Sequence, residues 1–79
     1  MRLGTAVGET LKNLRVERGL TLRKASANNY VSIGHLSEIE RDLKEPSFST
    51  LESIARGLDM TTAELILEIY QYLEENRDD

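Results

Sequence analysis

The chain has 79 residues, no cysteine, one histidine and a formal charge of −4. That length holds one domain, and a core this small relies on compact helical packing or on association. Disulfides and thiolate metal sites are excluded, no apolar run nears the roughly 20 residues that span a bilayer, and MRLGTAVGET lacks the apolar stretch of a signal peptide.

The first predicted helix runs from Thr5 to Arg18, with Val7, Leu11, Leu14 and Arg18 at 3.6-residue spacing and Gly19 as its stop. Thr21 is the N-cap of a short second helix from Leu22 to Asn28, with Ala25 on its inner face. Asn29 and Tyr30 make the turn. Ser32 caps a third helix that ends before Asp42 and Leu43, and its apolar residues are Ile33, Leu36 and Ile39. After the Lys44-Glu45-Pro46 loop, Ser47 or Ser49 caps a fourth helix to Leu58, with Phe48, Leu51, Ile54, Ala55 and Leu58 predicted to face inward. Asp59-Met60 links to a last helix, capped by Thr61 or Thr62 and running to Asn76. No segment alternates with period two between turn signals, so the fold class is all-α, with no strands.

Charge is unevenly distributed. Met1 to Lys44 holds eight Lys/Arg against five Asp/Glu, a balance of +3, whereas Glu45 to Asp79 holds two against nine, a balance of −7. Phosphates respond to charge within about a Debye length, roughly 8–10 Å, so a basic half can face DNA while the acidic half is held away. The second and third helices, joined tightly and with a polar outer face on the third, are the parts of a helix-turn-helix DNA reader.

The segments RVERGLTLRKAS and VSIGHLSEIERDLKEPSFSTLESIARGLDM resemble the Cro/CI-type (XRE family) helix-turn-helix domain of phage repressors and bacterial regulators, from Leu11 to Leu65. The likeness rests on a combination. V-S precedes the third helix, L-S-x-I-E-R lies within it, P-S starts the fourth, and L-x-x-I-A-x-x-L follows. LTLRKAS and SIGHLSEIER are similar, more narrowly, to actinobacterial Clp-protease gene regulators. The resemblance implies a five-helix, lambda repressor-like DNA-binding domain. Residues 1–60 would form the helix-turn-helix domain, and residues 61–79 a C-terminal dimerisation helix packed on it. Three positions depart from the family pattern. Leu22 replaces the Gln that often opens the second helix, Ser26 the small Ala, and Tyr30 the turn Gly. The turn is therefore shaped either through Asn29 or at the cost of modest strain.

Ile33, Gly34, His35, Ser37 and Glu38 match base-reading positions. Ile33 suits a thymine methyl, Ser37 several base edges, and Glu38 a cytosine amino group, while Gly34 permits close backbone approach. Ile33 also suits a core position, since Leu36 follows at i+3. Thr21, Arg23, Lys24, Ser32, Arg41 and Lys44 are the candidate phosphate contacts, Thr21 at a helix N-terminus that favours anions. Arg15 and Glu40 match a partly buried ion pair of phage repressors, which makes Glu40 structural.

The last helix carries more apolar residues than one stripe needs. Leu65, Ile69 and Tyr72 or Leu73 can cover the core, while Ile66, Tyr70 and Leu73 form a second stripe that marks a dimer interface. The expectation is a cytoplasmic, nucleoid-associated bacterial regulator. It would bind a pseudo-palindromic promoter operator in double-stranded DNA as a homodimer and activate Clp protease genes, with RNA polymerase as a further partner. No cofactor, metal, small-molecule ligand or membrane partner is expected. The alternative is an antitoxin-like or other protein-interaction module on the same fold. An enzyme is disfavoured: there is no thiol nucleophile or Gly-rich phosphate loop, and Glu38 and Glu40, at i and i+2, point to different faces.

Overall fold

The computed structural model describes residues 1–77, so the last two residues of the predicted 61–79 segment, Asp78 and Asp79, lie outside the described residues. Five helices follow in order: α1 Leu3–Glu17, α2 Leu22–Asn29, α3 Ile33–Glu40, α4 Phe48–Gly57 and α5 Thr62–Glu75. Among the described residues there is no strand.

Side-chain caps set most of the starts. Thr21, Ser32, Ser47 and Thr61 each accept from the backbone N–H three residues on, at 3.0–3.2 Å. At α5 the bond is reciprocated, because Glu64 accepts from the Thr61 N–H at 2.8 Å and closes a capping box. The caps of α4 and α5 are thus Ser47 and Thr61 rather than Ser49 and Thr62. α1 starts two residues earlier than predicted, at Leu3, with no side-chain cap at Arg2. Its first turn is held from across the fold instead. Thr5 donates to the Asp42 carboxylate at 2.9 Å, and Arg2 pairs with it at 3.3 Å. A carboxylate there also suits the positive end of the helix dipole.

Three helices end alike. α1, α3 and α4 each close with a left-handed residue, Gly19, Asp42 and Asp59 respectively. After each, the next N–H (Leu20, Leu43, Met60) reaches back five residues to a carbonyl of the last turn, at 2.8–3.0 Å. These are Schellman closures, each followed by the apolar residue that the motif favours.

The core joins Val7, Leu11 and Leu14 of α1 to Ala25, Val31, Leu36, Ile39, Ile54, Ala55, Leu58, Leu65 and Ile69. α1 packs on α3 and α5, and α2 on α3 and α4. Leu65 and Ile69 sit in the same core as the first four helices, with only Leu58 to Thr61 separating α4 from α5. Tyr72 ties α5 to α1 by donating its phenol proton to Glu9. That bond first, then burial and the charges of Glu9 and Glu75, hold the phenol above the ordinary tyrosine range. The stability linked to it is present at neutral pH and is lost as alkaline pH passes the folded value.

Phe48 corrects the sequence reading, being 88% exposed rather than inward-facing. It is the first residue of α4, where Cβ points back towards the N-terminus and away from the layer that Leu51, Ile54 and Leu58 enter.

Candidate nucleic-acid interface

The turn between α2 and α3 is the one corner not closed in the Schellman manner. Tyr30 takes φ +60°, and its N–H bonds the Ser26 carbonyl at 2.9 Å. Asn29 remains helical, and its buried side chain accepts from the Val31 N–H at 3.0 Å. This answers the question the sequence left open: Asn29 supplies the turn's hydrogen bond, and Tyr30 takes the left-handed backbone. Gly57 is the space that admits this, since a Cβ there would lie 2.6 Å from that of Asn29. Left-handed backbone costs a non-glycine residue about 1–2 kcal/mol, partly offset by glycine's greater chain entropy. Tyr30→Gly is therefore expected to stabilise the fold by about 0.5–1 kcal/mol. An unchanged or lower urea midpoint would contradict this.

α3 is docked by Leu36 and Ile39, which are 3% and 1% exposed. At about 100° per residue, Ile33, Gly34, Ser37, Glu38 and Arg41 share the opposite, outward side. Ile33 is 39% exposed and stands outside the packed core, which settles its two readings in favour of the surface. Gly34 is exposed, and a Cβ there would meet nothing within 4 Å. The fold therefore does not require this glycine. His35 is half-buried and lies at the margin of the face, about 60° round from Glu38.

The candidate phosphate contacts lie at the two ends of the motif. Thr21, Arg23 and Lys24, all exposed, occupy the start of α2, where the cap leaves the first backbone N–H groups for an outside acceptor. Ser32 opens α3, while Arg41 and Lys44 are exposed beyond its other end. Arg41 also donates to the Ser37 carbonyl at 3.3 Å, which holds its guanidinium along the helix.

The angle of α3 is set by an ion pair. The Arg15 guanidinium donates to both Glu40 carboxylate oxygens, at 2.7 and 3.0 Å, and to the Leu20 carbonyl at 2.8 Å. The two side chains are 13% and 8% exposed. The hydrogen bond to Glu40 chiefly, helped by the attraction of the two charges and opposed by burial, raises the guanidinium above its usual value. Close backbone packing adds to this. A Cβ on Gly8 would stand 2.7 Å from the carbonyl oxygens of Ile39 and Glu40, so α1 and α3 meet backbone to backbone. Sequence reasoning missed Asn29, Asp42 and Gly8. An Asn just before a turn was the available signal for the first; the other two act across the fold and leave none.

On another side, a groove of about 370 Å³ lies between α1, α4 and α5, lined by Leu3, Phe48, Leu51, Ile66 and Ile69 among others. Ile66 and Tyr70 are 57% and 56% exposed, whereas Leu73 packs partly buried on its own core.

A short capped helix with a docked apolar side, an open polar side and cations at both ends of the motif defines a class of protein: DNA-binding transcription regulators, which are not enzymes. The chain belongs to the helix-turn-helix domain family, whose profile matches residues 6–67. Over 62 residues it is 40% identical to the transcriptional regulator ClgR of Mycobacterium tuberculosis, covering 78% of this chain and 55% of that protein. The crystal structure of the clp gene regulator ClgR from Corynebacterium glutamicum matches with a TM-score of 0.85 at 33% identity, over 95% of this chain and 80% of that one. The restriction-modification controller protein C.Esp1396I, at 22% identity, shares the fold with a TM-score of 0.87 over 100% of this chain and 99% of its own. The chain spans about half the length of the first curated relatives it matches, 55% for ClgR and 45% for the regulator DdrOP3 of Deinococcus deserti. Among the described residues no helix is long and apolar enough to cross a membrane.

Proposed function

We propose that this chain binds a pseudo-palindromic promoter operator as a homodimer and regulates, by occupancy, genes of the Clp protease class, with RNA polymerase as a further partner at the promoter. The observation that carries the DNA reading is the outward side of α3, where Ile33, Gly34, Ser37 and Glu38 stand between the cations of α2 and those of Arg41 and Lys44. The likeness to ClgR supports the choice of genes. The exposed Ile66 and Tyr70, beside Leu3 and Phe48, support the dimer, because a patch of this kind marks an interface. Two copies would read two half-sites about one helical turn apart.

Selection of bound sequences from a random DNA pool, followed by gel shifts over a salt series, tests the proposal. The expected result is one palindromic motif, bound with a steep salt dependence from counterion release. No preference over random DNA at low salt would leave the interaction-module alternative in its place.

The roles divide on α3. Glu38→Ala should change base preference more than overall affinity. Lys44→Ala should weaken all sites alike and flatten the salt slope by about one unit. Equal effects of the two across operator variants would refute the assignment. At the second face, Tyr70→Glu should shift sedimentation towards the monomer mass, and an unchanged dimer mass would place the interface elsewhere.

A further inference from the structure

On the flank of α1 turned away from α3, a cleft of about 230 Å³ separates α1 from α5. α1 contributes Thr10, Asn13 and Glu17, and α5 contributes Glu68, Gln71 and Glu75. Each set follows helical spacing, so two parallel rows of side chains face one another. Leu14 and the Tyr72 ring complete the lining, and no lysine or arginine belongs to it. Three carboxylates, two amides and a hydroxyl thus converge with no cation among them. A second observation points into the same cleft. Thr10 is 4% exposed, and its hydroxyl has no hydrogen-bond partner. A buried polar group left so costs free energy that a bound partner recovers.

We propose that this cleft is the docking site for an arginine side chain presented by a partner protein. The cleft is smaller than the roughly 300 Å³ at which pockets for drug-sized ligands begin. Among the described residues no group of three acidic or histidine side chains is arranged to hold a metal ion. Its charge repels nucleic acid. A guanidinium fits where an ammonium does not. Its planar fork of five N–H donors reaches carboxylates on both helices at once, and its face stacks on the Tyr72 ring. The site lies roughly opposite Gly8 and Arg15 on α1, which face α3, and roughly opposite Ile66 and Tyr70 on α5. DNA and a second copy would both leave it open, so the partner is one that meets the regulator while it is on DNA.

The probe is the tripeptide acetyl-Gly-Arg-Gly-amide, titrated into the 15N-labelled full chain at low salt, with the citrulline tripeptide and spermidine as comparisons. The arginine peptide should shift the Thr10, Asn13 and Gln71 signals saturably, at least about fivefold more tightly than either comparison. Glu68→Gln, on the exposed rim, should weaken that binding by about fivefold without altering the spectrum of the free protein. Thr10→Val should weaken it while raising the melting temperature, since the valine leaves no unbonded hydroxyl. No saturable shift at these residues overturns the proposal, as does equal binding of citrulline or spermidine. Unchanged affinity in both variants overturns it too, whether or not the chain reads an operator.

Discussion

Glu40→Ala should lower the stability of the fold by about 3–5 kcal/mol, among the largest effects of any single surface-distant change in this chain. The size follows from what remains. Arg15 keeps its charge, is 13% exposed, and loses both carboxylate bonds while retaining only the Leu20 carbonyl. The cost is thus that of a stranded buried cation rather than the worth of the pair. Replacing both partners by apolar residues of similar volume, as in Arg15→Met with Glu40→Leu, should recover most of the loss. A small domain holds only about 5–15 kcal/mol in total, so the single variant would be partly unfolded near physiological temperature. Urea denaturation of the two single variants and the double variant measures this. A loss under about 1 kcal/mol for Glu40→Ala would show that the charge is hydrated after all.

Gly8→Ala should damage DNA binding more than it damages the fold. The new methyl meets two carbonyl oxygens at 2.7 Å, and these are backbone atoms at the end of α3 that cannot rotate away. Overpacking of this kind costs about 1–3 kcal/mol, of which alanine's better helix propensity returns about 0.5–1. The remaining strain is relieved by moving α3 outward, which shifts the reading face relative to the cations of α2. Gly34→Ala is the matching control on the same helix. It meets open space, so stability should hold or rise by about 0.5–1 kcal/mol while operator affinity falls, because the methyl stands where the backbone would approach a base pair. Denaturation midpoints and operator titrations on both variants separate the two causes. Full operator affinity in Gly8→Ala would mean that α3 tolerates the methyl without moving.

The helices were legible because their ends are written locally. Thr21, Ser32, Ser47 and Thr61 act on the next turn of their own helix, and Gly19 stops α1 within the chain that precedes it. The start of α1 was not legible. Its carboxylate partner, Asp42, lies 37 residues beyond Thr5, and no local pattern connects them. Phe48 misled because apolar spacing records which residues share a side of a helix but not how far along the helix the neighbouring layer extends. Of the reading face, the outward residues could be named from spacing and resemblance. The absence of any packing need for Gly34, and the absolute need for Gly8, required knowing what lies across from each.

The three Schellman corners carry a kinetic consequence. Each reversal of direction at Gly19, Asp42 and Asp59 is sealed by a bond spanning five residues, so little loop entropy opposes it. Helical domains with such short-range closure fold in microseconds to milliseconds. The corner at Tyr30 differs, being completed by a side chain that must first bury itself beside Gly57. The two helices that meet DNA are therefore joined by the one corner whose formation waits on tertiary packing, and reading competence should arrive last as the chain folds.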